Sequence, residues 1–207
     1  MISMLQGKRQ LRHTLASSLA WRTQVRWYAL SVAFPCSVFA ASALIVVILF
    51  PTRIIWPSTA VLFGSAMTLP FGPVWEEIAW RAFALRKLEQ RYSQTVSAAV
   101  LGLYWAVWHI PLWYVTLTYL TMPLLLVICA NLVAWSFIFA FLYNRSGESL
   151  PVVILLHATY VAVQNVVFAS LSHGGIHLIP VSMVISACVA FGIARKWGRT
   201  QRGTAIS

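Results

Sequence analysis

Carboxylates are almost absent from this chain. Glu76, Glu77, Glu89 and Glu148 are its only acidic residues among 207, against fifteen Lys and Arg. Charge of either sign is scarce, at 9% of residues, while 60% are hydrophobic. A soluble domain carries about a quarter charged residues and under half apolar ones, so that class is excluded. The apolar residues come in long runs rather than in ten-residue alternating segments, which excludes a membrane β-barrel. Cysteine is scarce as well. Cys36, Cys129 and Cys188 all lie inside apolar runs, and no CxxC occurs. Neither a disulfide framework nor a zinc knuckle is encoded. HExxH is also missing. A cleavable signal peptide is not expected: the first apolar run starts near Trp27, after a long basic segment, and outlasts a signal sequence.

What is present is apolar sequence in lengths that fit a bilayer. A hydrocarbon core of ~30 Å needs about 20 apolar helical residues per span. The runs predict an all-α, polytopic transmembrane bundle of about six spans: 27–50, 58–85, 94–116, 120–143, 150–171 and 178–194. The second should be broken at Pro70–Pro73, where Pro70, Gly72 and Pro73 fall. Three regions follow. Residues 1–26 form a basic cytoplasmic or interfacial segment with Trp21 and Trp27 as headgroup anchors. Residues 27–195 form one helical membrane domain, and 196–207 a basic cytoplasmic tail.

The formal charge of +11 does not indicate nucleic acid, because the basic residues cluster at the ends of apolar runs. There they act as topology signals and attract anionic headgroups. The N-terminus, Arg86, Lys87 and Arg91, Arg145, and the C-terminus carry the clusters, whereas the alternate loops carry only Arg53. Both termini are therefore expected in the cytoplasm. A short chain without a separate soluble domain fits a bacterial inner membrane.

Ionisable groups inside a span cost at least ~2.5 kcal/mol each, so they usually face the bundle interior and often mark function. Here they are Glu76, Glu77 and Arg81 on the second span, and His109 on the third. Asn131 on the fourth and His157, Gln164 and Asn165 on the fifth complete the polar set. His13, His173 and His177 fall in terminal or loop positions and carry no functional expectation. Adjacent helical residues point about 100° apart, whereas residues four apart share a face. Glu77 can therefore pair with Arg81, leaving Glu76 on a face with Trp80. An apolar, aromatic setting suits a carboxylate to general acid–base work. At ~1.5 Å per residue, Glu76 lies roughly 20 Å from the basic cluster near residue 90. By the same rise His109 lies roughly 22 Å in from residue 94, and His157 roughly 12 Å in from residue 149. All three reach interior depth.

Three segments together resemble the CPBP family of CAAX prenyl proteases and bacteriocin-processing, abortive-infection membrane proteins. The family's EExxxR is matched by Glu76-Glu77-Ile78-Ala79-Trp80-Arg81, preceded by Gly72-Pro73. Its FxxxH before a proline is matched by Trp105-Ala106-Val107-Trp108-His109-Ile110-Pro111, with Trp105 in place of Phe. Its LYxRTG turn and LLHA helix are matched by Leu142–Gly147 and Leu155-Leu156-His157-Ala158. The resemblance spans about 60–170 and implies an intramembrane endopeptidase. Glu76 would be the general base. His109 would hold the water or protonate the leaving amine, and His157 would donate to the oxyanion. Glu77 and Arg81 would fix the helix presenting Glu76. The family commonly has HxxxN or HxxxD in the last motif, whereas this chain has Val161; Asn131 or Asn165 would have to supply the amide.

The implied substrate is a membrane-associated peptide or protein: a prenylated CAAX tail, a bacteriocin, a leader or a sorting tail. Metal-independent chemistry is favoured, since a glutamate–histidine pair activates water by itself. A zinc ion would have Glu76, His109 and His157 as ligands. Two other classes compete. One is a non-catalytic immunity or scaffold protein of the same fold. The other is a small proton-coupled transporter, for which six spans are few and an inverted repeat is lacking.

Overall fold

The chain folds as a helical bundle in which each apolar run becomes one helix or a broken pair. The computed structural model describes residue 16 and residues 20–117, 120–172 and 175–204, with backbone alone for 68–71 and 198–204. Helix α1 (Val25–Leu49) leads to a two-residue strand β1 (Arg53–Ile54). Then come α2 (Thr59–Phe71), α3 (Pro73–Glu77), a π-helical segment (Ile78–Leu85) and α4 (Arg86–Glu89). Helices α5 (Gln94–Thr116), α6 (Met122–Arg145) and α7 (Leu150–Ser170) follow. Strand β2 (Leu171–Ser172) and helix α8 (Gly175–Thr204) close the fold.

Among the described residues, five helices are long and apolar enough to cross a membrane: α1, α5, α6, α7 and the Gly175–Trp197 stretch of α8. The predicted second span is instead a chain of shorter pieces. Its break lies at Gly72, between the end of α2 and Pro73 at the start of α3. Proline is tolerated in a first helical turn, where its missing N–H would go unused, and α6 and α7 start the same way. Ser93 and Thr121 cap α5 and α6 by accepting from the Val96 and Leu124 N–H groups. Of the basic N-terminal segment, 1–15 and 17–19 lie outside the described residues, as do His13 and His173. Helix α8 runs on to Thr204, through the expected start of the basic tail.

Helix α6 forms the centre, packed on α5 and α8, while α7 packs on α1 and α2. Trp105, Trp135, Phe139, Tyr143 and Leu156 are buried in the core. The α5–α6 crossing depends on Gly102. A Cβ there would lie 2.8 Å from Val133 Cα and 2.9 Å from Ser136 Cβ. Ser136 Oγ locks the same crossing by donating to the Ala98 carbonyl at 2.9 Å.

The two ends of the bundle differ. At one, the α6–α7 turn passes through Gly147 (φ 76°) and Glu148 (φ 61°), and Glu148 N–H donates to the Tyr143 carbonyl at 2.8 Å. There Asn144 donates to Glu89 at 2.8 Å, and Arg86 pairs with Glu148. Burial holds the Glu89 carboxyl above the ordinary carboxylate range, against the opposing pull of the Asn144 hydrogen bond. At the other end β1 and β2 pair antiparallel, and His177 stacks on Phe50 at 3.9 Å.

Candidate active site

Four elements meet around Trp105, which is buried on α5. Just after the break at Gly72, α3 and the π segment present Glu76, Glu77 and Arg81. Single π turns inside otherwise α-helical rods occur often at functional sites. Glu77 and Arg81 are both 0% exposed, and Arg81 Nη1 donates to Glu77 Oε1 at 2.9 Å. The Arg81 guanidinium also lies 4.3 Å from the Phe139 ring centroid and 4.9 Å from that of Trp105. Two aromatic faces thus replace part of its lost hydration. Its Nε and Nη2 have no hydrogen-bond partner among the described residues, nor does Glu77 Oε2.

His157, from α7, donates Nδ1–H to Glu77 Oε1 at 2.7 Å. The Trp105 and Phe139 rings stand edge-on to it, each at 5.5 Å. Glu77 therefore holds both a cation and a histidine. The i, i+4 rule reveals the first contact but cannot reveal the second, which crosses 80 residues of sequence.

Glu76 takes a different partner. Its Oε2 accepts from Trp105 Nε1 at 3.0 Å. Helical spacing offered Trp80 as its aromatic neighbour, but Trp80 instead packs edge-on to Trp108 at 6.4 Å. The available signal was the Trp standing where the second motif has Phe, because only Trp brings an N–H. One turn on, His109 Nδ1 lies 2.8 Å from the Trp105 carbonyl. A carbonyl only accepts, so Nδ1 carries the hydrogen, and in the neutral ring Nε2 bears the lone pair. The His109 ring is stacked on Trp113 at 5.5 Å.

A cavity of about 360 Å³ adjoins this cluster. His109, His157, Asn131, Val161, Gln164 and Asn165 contribute to its wall, along with apolar residues. Asn131 is 5% exposed, and its Oδ1 has no partner among the described residues. The structure thus brings His109, His157, Asn131 and Asn165 to one cavity, and binds Glu77, Arg81 and His157 together. Glu76 is half-buried behind Trp105 and is not part of the cavity wall.

Residues 57–163, about half of the chain, match the family described as type II CAAX prenyl endopeptidase, Rce1-like. The chain belongs to this family. The matched span holds Glu76, Glu77, Arg81, Trp105, His109, Asn131 and His157. Over 37 residues the chain is also 40% identical to a CAAX prenyl protease 2 of Methanococcus maripaludis. That stretch is 18% of this chain and 14% of the relative's length.

In this Rce1-like chain no group of three or more His, Cys, Asp or Glu that could hold a metal ion occurs among the described residues. The zinc set of Glu76, His109 and His157 does not converge in this arrangement.

Proposed function

We propose that the chain is an intramembrane endopeptidase that hydrolyses a peptide bond of a membrane-associated peptide or protein, with Glu76 as general base. The observation that carries this is the double use of Trp105. Its indole N–H holds Glu76 and its carbonyl holds His109, so base and histidine are tied to one rigid residue beside the His157 ring.

Peptide hydrolysis needs an activated water, a donor for the oxyanion and a proton for the leaving amine. Glu76 removes a proton from water and later delivers it to the leaving nitrogen. His109 Nε2, bearing a lone pair, accepts a hydrogen bond from that water and orients it. His157 donates Nε2–H to the oxyanion. Its Nδ1–H is engaged by Glu77, so the ring must be an imidazolium at that step. Glu77, held by Arg81, provides the charge that such a ring needs. Asn131, with its amide at the cavity wall, supplies the second oxyanion donor where Val161 lacks one. Asn165 lines the outer part of the same cavity. Low local polarity strengthens each of these interactions. Catalytic hydrogen bonds often tighten only once substrate is bound, which leaves room for Glu76 to meet the water from its half-exposed side.

The membrane reading orients the bundle with Arg86, Lys87, Arg91 and Arg145 in the cytoplasm. The substrate is a prenylated CAAX-type tail, a bacteriocin or leader, or a sorting tail. The deciding experiment is cleavage of a fluorogenic, prenyl-anchored peptide by protein in lipid nanodiscs, comparing Glu76→Gln and His109→Ala with the unsubstituted chain. Loss of cleavage in both supports the assignment, and unchanged cleavage in both overturns it.

A further inference from the structure

Gln164 is the polar side chain that the catalytic reading leaves without a task. It lines the cavity on α7, as does its neighbour Asn165. Neither amide is hydrogen-bonded to another described residue; Gln164 is half-buried and Asn165 exposed. Both therefore offer free donors and acceptors to a chain that enters the cavity.

Helical geometry locates Gln164 relative to the chemistry. Seven residues turn a helix through about 700°, nearly two full turns, so Gln164 shares the face of His157 roughly 10 Å further along. Val161 and Phe168 flank it in the same wall and are apolar. The wall therefore alternates: a histidine, an apolar step, an amide, an apolar step. An extended peptide advances ~3.3 Å per residue, so roughly 10 Å corresponds to about three residues.

We propose that Gln164 forms a distal subsite that binds the main-chain amide of the substrate about three residues from the scissile bond. Its carboxamide donates to a peptide carbonyl and accepts from a peptide N–H, the pairing that a neighbouring strand would offer. Val161 and Phe168 contact the side chains on either side of that amide. Asn165 and Leu112, the exposed members of the wall, mark the mouth through which the chain enters. The subsite selects for length and extended conformation and is tolerant of side-chain identity at the bound residue. The assignment rests on the peptidase reading.

The test uses Gln164→Met, which keeps length and helix preference but removes the amide. Prenyl-anchored fluorogenic peptides are shortened one residue at a time from either end. KM and kcat are measured in nanodiscs, and Kd is measured for the same peptides in a Glu76→Gln background. For the longest peptide, KM and Kd should rise about tenfold or more, the worth of two neutral hydrogen bonds, with kcat within about twofold. The penalty should shrink below about twofold once one end is cut to within three residues of the scissile bond. Gln164→Asn should recover part of the affinity. An equal penalty at every length, no penalty at any length, or an effect on kcat alone would overturn the subsite. Cleavage that persists in Glu76→Gln would instead overturn the catalytic assignment, while the length dependence of Kd still reports on Gln164.

Discussion

The Trp105 indole N–H donates to Glu76 Oε2 at 3.0 Å, joining α5 to the short helix α3. A phenylalanine at this position would fill the same space without that bond. Hydrogen bonds to charged groups are worth about 1.5–3 kcal/mol. Trp105→Phe should therefore lower kcat/KM about 10- to 100-fold while the protein remains folded and monodisperse in detergent. Steady-state cleavage of the prenyl-anchored peptide is the measurement. An undiminished rate would show that the bond to Trp105 does not position the base.

The Glu77–Arg81–His157 group predicts a split between stability and activity. Removing one member of a buried pair typically costs about 3–5 kcal/mol, because the partner charge is left behind. Arg81→Met alone should thus unfold at markedly lower temperature. Glu77→Gln with Arg81→Met removes both charges and should regain much of that stability. Activity should not return with it, since His157 then lacks its carboxylate. Thermal unfolding in detergent, run beside the cleavage assay, separates the two effects.

Gly102 sets where Trp105 and His109 stand against α6. Because a Cβ would fall 2.8 Å from backbone of the facing helix, Gly102→Val must push α5 away. Overpacking of this kind costs about 1–3 kcal/mol. The displacement also carries both residues away from Asn131 and Phe139. Activity should fall by more than the stability loss explains. A variant at Gly147, where a Cβ would meet open space, should leave the site's geometry alone and act only through its positive φ.

Much of this architecture can be read from short-range pattern. The span helices follow from runs of apolar residues, and the break follows from Gly72 and Pro73. The Glu77–Arg81 pair follows from helical spacing. Contacts between helices could not be read that way. His157 reaches Glu77 and Trp105 reaches Glu76 only because α5, α7 and the broken helix converge, and hydropathy carries no rotational information about such convergence. The π turn from Ile78 to Leu85 is similarly silent, because its sequence is as compatible with an α-helix. The β1–β2 clasp was missed because two-residue strands have no periodicity to detect. In the cavity, Val161 marked a missing amide, while the burial of Asn131 beside it required the fold.

The side from which substrate arrives is the last testable consequence. The cavity is walled by the C-terminal part of α5, including Leu112, by Leu117 just beyond it, and by α7 as far as Phe168. The basic residues Arg86, Lys87, Arg91 and Arg145 gather at the opposite ends of these helices. If positive residues stay in the cytoplasm, the mouth at Asn165 opens in the extracytoplasmic half. A cysteine-free background is made by replacing Cys36, Cys129 and Cys188, and Asn165→Cys or Arg91→Cys is introduced. In intact cells a membrane-impermeant maleimide should label Cys at 165 and spare Cys at 91 until the membrane is permeabilised. Adding the prenyl-anchored peptide should slow labelling at 165, because the chain then occupies the mouth. The reverse labelling pattern would invert the bundle and make the cavity accessible from the cytoplasm, which would favour cytoplasmic tails over exported peptides as substrates.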